Sequence, residues 1–292
     1  MKIEANVPLA RYTTLGTGGP ARWFAKPKTI AELEELLRWA HDEGHAVETI
    51  GLGSNVLVHD GGVDSLVLRL DGALATVEVD GSSLLAGGGA TNAVCVHRAR
   101  DAGLGGLEFA SSIPGTVGGS VRMNAGAWGR EFRDVLVAAD VVDADGSRTL
   151  TAADLDLSYR HSALRPGQVI ARARLVLEPR DPGAIRAGVA ELAARRRSTQ
   201  PTNRRTFGSV FKNPSADLGA GFAIEQCGLK GHAIGGARIS PVHANFIENT
   251  GGATSADALA LMVEARRRVW ERFGVELEHE VRLLGPLVLP PA

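Results

Sequence analysis

From Thr29 the chain reads TIAELEELLRWAHDEG, with Ile30, Leu33, Leu36, Leu37 and Ala40 recurring three and four positions apart. That spacing puts them on one face of an α-helix. Thr29 and Glu32 stand at the interval of a capping box, and Gly44 supplies a stop. Beyond Gly44 the period shortens. HAVETIGLGSNVLVHDGGVDSLVLRLDG reads as strand, glycine turn, strand, turn, strand, and residues 75–86, ATVEVDGSSLLA, as a hairpin with an Asp-Gly turn. Thr91 is placed to cap a short helix running to about Ala102. VLVAADVVDADGSRTL predicts a second Asp-Gly hairpin, and VIARARLVLEP a strand of alternating polarity.

EPRDPG then breaks the pattern and marks a domain boundary. After it, Ala184–Arg197 is a predicted helix with Ile185, Val189 and Leu192 on one side. Ser255 is expected to cap a longer helix carrying Leu259, Met262, Val263, Trp270 and Phe273, stopped by Gly274. No internal repeat or low-complexity tract is present. The expectation is an α+β front part of about 180 residues and a smaller α/β back part.

Composition narrows the partners. Of 292 residues, 44% are hydrophobic and 22% charged, with a formal net charge of −1, so no basic field favours nucleic acid or an anionic membrane. The arginine runs Arg195–Arg197 and Arg266–Arg268 read as solvated helix faces. The N-terminus, MKIEANVPLA, carries Glu4 and no signal-like apolar run, and no stretch reaches the roughly 18 apolar residues of a membrane span. Cys95 and Cys227 stand apart without a CxxC, so neither a disulfide framework nor a zinc site is expected. No carboxylate/histidine cluster suggests a metal. A cytoplasmic location is the expectation.

Glycine changes the picture most. There are 36 in the chain, and the clusters TGGPA, GLGSN, DGGVD, AGGGAT, GLGG, PGTVGG and NAGAWG all lie before residue 130. GLGSNV invites a dinucleotide reading as G-x-G-x-x-G, but Val56 stands at the third glycine and a strand follows where a helix is required. The Rossmann reading therefore fails. A strand–turn–strand with a Gly-x-Gly-Ser-Asn turn still offers successive amides as an anion nest, with donors added by Ser54 and Asn55. SSIPGTVGGSV, from Ser111 to Val121, is a second stiff run poor in side chains. Either loop alone is more often a plain turn. Two in one domain point to a large phosphorylated ligand.

GSVFKNP, Gly208 to Pro214, confines one hydroxyl, one ammonium and one carboxamide to five residues between Phe207 and Pro214. With YTTLGTGGPA, GLGSNVLV, GLEFASSIPGTVGGSVRMNAGAWG, SYRHS, GGARISPVHANFIEN and LEHEVRLLG, in this order, it resembles the UDP-N-acetylenolpyruvoylglucosamine reductases from about residue 10 to 285. HANF is similar to the type II branch. Ser112 departs from the pattern, where a glycine often precedes IPG.

The resemblance implies a PCMH/vanillyl-alcohol-oxidase-type FAD-binding domain over residues 1–182, as two α+β subdomains split near residue 71. A substrate-binding C-terminal domain follows over 183–292. It implies FAD, bound tightly and without a covalent link, NADPH as co-substrate, and UDP-N-acetylglucosamine enolpyruvate as the molecule reduced for peptidoglycan. The FAD pyrophosphate would be wrapped by Gly51, Leu52, Gly53, Ser54, Asn55 and Val56, and by Ile113, Gly115, Thr116, Gly118 and Gly119. Ser209 would give a proton to the carbanionic carbon, Arg160 would meet the enolpyruvyl carboxylate, and Glu280 would be the third catalytic residue. Glu278, two positions away, is distinguished from Glu280 by the motif alone. Asn213 matches a family substrate contact; the chemistry of Lys212 suits a pyrophosphate; Tyr159, His243 and Asn245 are further candidates. Two rivals remain at this point: a flavin oxidase of the same fold and a flavin-free sugar-nucleotide-binding protein.

Overall fold

A computed structural model describes residues 2–292. The chain divides into two compact units. One holds the N-terminal residues to Ala5, Trp23–Leu52 and Ser65–Arg196; the other holds Asn6–Arg22, Gly53–Asp64 and Arg197–Ala292. Two short N-terminal segments thus group with the C-terminal part, a division that differs from a linear cut at residue 182. The reason is pairing: Val56–Val58 forms a parallel ladder with Arg282–Leu284, with Val56 opposite Arg282.

In the first unit, helix α1 (Ile30–Asp42) buries Leu33, Leu36, Leu37 and Ala40 against Ala25, Leu66, Leu68, Val142 and Ala171. Each large apolar side chain so buried contributes about 2 kcal/mol. The Thr29 hydroxyl accepts the Glu32 amide at its N-terminus. The expected capping box is not reciprocal, however, because the Glu32 carboxylate accepts from the Lys28 amide instead. A five-stranded antiparallel sheet runs in the order Gly146–Thr151, Leu136–Asp143, Val169–Val176, Ser83–Gly87, Val77–Asp80. Both predicted hairpins are its outer pairs, and Gly81 turns one of them at a φ of 57°. Helices α2 (Asn92–Asp101) and α3 (Val117–Arg122) share a core with this sheet through Cys95, Val96, Ala99, Val117 and Val121. Burial pushes the Cys95 thiol up to about 12, so it packs as a small hydrophobe. Helix α4 (Pro182–Thr199) begins two residues earlier than predicted, with proline at its first position, and only Ile185 is fully buried.

The second unit centres on a four-stranded antiparallel sheet in the order Arg205–Thr206, Ile247–Asn249, Ala237–Ile239, Ala233–Ile234. Helix α5 (Ala220–Gln226) and helix α6 (Ser255–Phe273) belong to the same unit. The cap of α6 is Thr254 rather than Ser255, in a reciprocal box with Asp257. Ser255 is instead buried, its hydroxyl bonded to that of Thr17 and its amide to Asp60. The inward stripe runs through Ala258, Leu261, Met262, Ala265 and Val269, which leaves Trp270 half exposed rather than in the core. Arg267 and Arg268 pair with Glu264 on the solvated side as expected, but Arg266 is buried and bonds Glu276 and the Pro290 carbonyl.

Candidate active site

Ser209 lies between the short strand Arg205–Thr206 and a single bridge from Phe211 to His279. The backbone is pinned on both sides of it. Gly208 donates its N–H to the Ser54 carbonyl at 2.7 Å, and Val210 donates to the Asn245 carbonyl at 2.9 Å while accepting from the Glu280 amide at 2.8 Å. Ser209 itself is half-buried and makes no hydrogen bond among the described residues. Phe207, Val210 and Phe211 around it are buried, so the apolar anchors of GSVFKNP are core and the hydroxyl between them is available.

Two further segments of the same unit meet this one. Asn55 Nδ2 donates to the Glu280 carbonyl at 3.2 Å, so the GLGSN turn, the serine segment and the Glu280 segment form one hydrogen-bonded set. Glu280 is half-buried, whereas Glu278 is exposed and pairs with Lys212 at 2.5 Å. That pair separates the two carboxylates that the sequence left side by side. It also occupies Lys212 with a protein partner. The Asn213 carboxamide oxygen accepts the Ala220 amide at 3.1 Å, which helps start α5.

His243 accepts the Asn245 amide at Nδ1 and packs edge-on against Phe246. Burial, with Lys230 nearby, lowers its pKa below the ordinary imidazole value, and neutral imidazole is what an accepting Nδ1 requires. Asn245 uses its whole side chain on protein: Oδ1 accepts from Phe211 N–H at 3.0 Å and Nδ2 donates to Phe211 C=O at 2.8 Å.

In the first unit, the glycine loops come together. A Cβ on Gly51 would sit 2.5 Å from Thr116 Oγ1, so the start of one loop is in contact with the middle of the other. Gly118 donates to the Gly88 carbonyl and has a Cβ position only 3.0 Å from it, and Val117 donates to Ala90; these amides are spent on packing. Ile113 likewise donates to Ala110. The Gly115 and Thr116 amides have no acceptor among the described residues, and Gly119 faces nothing nearer than Thr116 Oγ1 at 3.7 Å. The buried Ser111 hydroxyl is also left without a partner. Asn92, fully buried, bonds Ile113 C=O and Ser120 Oγ and braces the loop; sequence reading missed it because it looks like an ordinary helix start. Ser112 accepts the Trp128 indole N–H at 2.8 Å, so the serine at this position is bonded within the protein.

In the second unit, Gly53 has a φ of 68°, and a Cβ there would land on the Tyr12 carbonyl oxygen. Its bareness is required by backbone packing against Tyr12. The Val56 side chain is buried at the start of its strand. Leu52, in the first unit, is part-exposed.

Arg160, also in the first unit, sits with Tyr159 at the tip of a two-residue turn closed by Ser158 and His161. Its φ is 55°, a left-handed conformation costing an arginine on the order of 1 kcal/mol or more. Asn124 holds the turn through the Ser158 carbonyl, and Arg160 bonds the Gly126 carbonyl at 3.1 Å and lies 5.0 Å over the exposed Tyr159 ring. Such strain, maintained by neighbouring bonds, belongs to turns that aim a side chain.

No group of three or more His, Cys, Asp or Glu side chains able to hold a metal occurs among the described residues, and no described helix is long and apolar enough to cross a membrane.

Comparison with known proteins gives this arrangement its context. Residues 21–151 match the family described as FAD binding domain, and residues 200–284 the family described as UDP-N-acetylenolpyruvoylglucosamine reductase, C-terminal domain. The chain is 45% identical over 286 residues to the UDP-N-acetylenolpyruvoylglucosamine reductase of Sphingopyxis alaskensis, covering 97% of this chain and 95% of that one. It is 46% identical over 280 residues to the enzyme of that name from Anaeromyxobacter dehalogenans, covering 96% and 85%. The crystal structure of UDP-N-acetylenolpyruvylglucosamine reductase from Thermus caldophilus superposes with a TM-score of 0.85 at 38% identity, over 97% of this chain and 99% of that one. The protein is a member of the UDP-N-acetylenolpyruvoylglucosamine reductase family.

Proposed function

We propose that this protein reduces the enolpyruvyl ether of UDP-N-acetylglucosamine enolpyruvate to UDP-N-acetylmuramate, a cytoplasmic step of peptidoglycan synthesis, with FAD as bound cofactor and NADPH as the source of electrons. The observation that carries the reading is Ser209: a half-buried hydroxyl with no hydrogen-bond partner among the described residues, fixed by backbone bonds on both flanks and tied into one set with Asn55 and Glu280.

The loops suit the cofactor. The Gly115 and Thr116 amides, the Ser111 hydroxyl and the open face of Gly119 are donors and clearance that the protein does not consume, which is what an oxygen-rich pyrophosphate needs. FAD, when bound, accepts hydride from the nicotinamide and supplies it to the terminal methylene carbon of the enolpyruvyl group.

The chain's own residues do the rest. As hydride adds to the methylene, the π electrons move onto the adjacent carbon and its carboxylate. Ser209 gives that carbon its hydroxyl proton, completing the lactyl ether, and recovers a proton from solvent. A serine is a weak acid, but an enolate carbon is a strong base, so placement decides the rate. The Arg160 guanidinium pairs with the carboxylate as it gains charge. Glu280, in its protonated form, donates to the forming enolate oxygen; its backbone is fixed on both sides by Val210 and Asn55. Tyr159, Lys212 and Asn213 are the residues we assign to the sugar nucleotide. For Lys212 this requires exchange of Glu278 for phosphate, a change that an exposed ion pair permits. His243 and Asn245 are already bonded within the protein and have structural duties.

Mixing the purified protein anaerobically with NADPH should bleach the flavin, and adding the enolpyruvyl sugar nucleotide should restore it with formation of UDP-N-acetylmuramate. Flavin that bleaches but is recovered only by oxygen would point to an oxidase, and colourless protein to a flavin-free binder.

A further inference from the structure

Asn245 is 4% exposed and sits in the closed loop Ser240–Phe246, where Ser240 N–H meets the Phe246 carbonyl and His243 Nδ1 accepts the Asn245 amide. Its side chain imitates a strand partner for one residue of the serine segment. Oδ1 takes the Phe211 N–H at 3.0 Å, Nδ2 gives to the Phe211 C=O at 2.8 Å, and the Asn245 carbonyl takes the Val210 N–H at 2.9 Å. Glu280 N–H holds the Val210 carbonyl, and Phe211 bridges His279 on that side too. The two residues following Ser209 are therefore fixed between two segments, while Gly208 is held by Ser54.

What this does for Ser209 follows from what Ser209 lacks. It is in no regular strand and has no hydrogen bond among the described residues, so nothing bonded to Ser209 itself sets its direction. Its orientation is inherited from the backbone dihedrals on either side. On the carboxyl-terminal side, three of the bonds that fix those dihedrals come from Asn245. A carboxamide is the side chain that can both accept from the N–H and donate to the C=O of one residue, and here it is spent wholly on the protein rather than on a ligand.

We infer that Asn245 is a positioning residue for proton delivery: by clamping Phe211 it aims the Ser209 hydroxyl, and it acts on the reaction only through that hydroxyl. This rests on the reading of Ser209 as proton donor given above. Shifts of about 1 Å in a reacting group cost rates on the order of 100-fold. Asn245→Asp keeps the shape, keeps acceptance from Phe211 N–H, and turns the donor facing the Phe211 carbonyl into a second acceptor.

The test is rapid-mixing kinetics of the flavin-loaded protein. For Asn245→Asp, the rate of flavin bleaching by NADPH should stay within about twofold of wild type, and the KM for the enolpyruvyl sugar nucleotide should hold, while flavin recovery slows roughly 100-fold with a larger solvent deuterium isotope effect. Introducing Asn245→Asp into Ser209→Ala should slow recovery no further, because a group that acts through a hydroxyl has no effect once the hydroxyl is gone. Full multiplication of the two losses would overturn the inference, as would equal slowing of both half-reactions or wild-type recovery in the single variant. If Asn245→Asp does not fold, the same readings are made on Asn245→Ala and Asn245→Ser, which remove the clamp without opposing two oxygens. Failure of the wild type to be reoxidised by the sugar nucleotide would instead defeat the proposed function.

Discussion

The Gly208 amide and the Ser54 carbonyl are hydrogen-bonded at 2.7 Å. The bond joins residues 154 positions apart in sequence, so the serine segment and the GLGSN turn are built as one piece. Asn55 extends that piece to the Glu280 carbonyl. Asn55→Ala should cost about 1 kcal/mol of stability, the usual net value of one such bond, and should lower sugar-nucleotide reduction more than flavin reduction. Denaturant melts with paired half-reaction rates check both parts.

The contact between Gly51 and Thr116 makes a separate prediction for cofactor retention. Gly51→Ala places a methyl 2.5 Å from Thr116 Oγ1 and 2.9 Å from Thr116 Cγ2, so one loop must shift. FAD affinity, followed by flavin fluorescence on dilution, should fall about tenfold or more, equivalent to at least 1.4 kcal/mol. Thr116→Ala in the same chain should restore part of it. Independent effects of the two substitutions would separate the loops.

His243 gives the protein a pH signature. Its folded pKa is lowered, first by burial, so the unfolded chain binds a proton more readily than the native one. The stability involved is fully present above the unfolded value of about 6.5 and declines as pH falls below it, by at most about 1.4 kcal/mol per pH unit. His243→Asn, which keeps an acceptor for the Asn245 amide, should flatten that slope between pH 7 and 5.5. Thermal melts across this range read it directly.

Glu278 and Lys212 test whether the exposed pair matters to the fold. With Glu278 largely in solvent, Glu278→Gln should change stability by less than about 1 kcal/mol. If Lys212 must leave this pair to meet phosphate, the same substitution should lower the KM for the sugar nucleotide, measured in steady state. An unchanged or raised KM would leave Lys212 as a purely structural cation.

Much of this site was legible in the sequence because local rules govern it. The Leu33/Leu36/Leu37 stripe, the Thr29 and Thr91 caps and the Gly81 turn depend on neighbours within one turn or hairpin. The motif residues Ser209 and Glu280 were visible as a pattern, but their junction with Ser54 and Asn55 was not, since no periodicity encodes a backbone bond across so much chain. The packing duties of the glycines were hidden for the same reason. Gly53 and Gly118 look like ligand clearance in sequence, yet their space is taken by Tyr12 and Gly88. Ser255 resembled a cap because its register is one residue from the true one, and only its partners, the buried Thr17 and the exposed Asp60, explain its place. Asn245 was visible in HANF as a polar site candidate, but its role lies in Phe211, a contact made by folding.

The central claim is that the Ser209 hydroxyl delivers the proton, and Ser209→Ala tests it most directly. The hydroxyl has no hydrogen-bond partner among the described residues, so the variant should melt within about 0.5 kcal/mol of wild type, as substitutions away from structural bonds do. In stopped flow, NADPH should bleach its flavin at the wild-type rate, and recovery on adding the enolpyruvyl sugar nucleotide should slow by roughly 100-fold to 10,000-fold, the range of a lost general acid. Equal slowing of both phases, or recovery at the wild-type rate, would contradict the account.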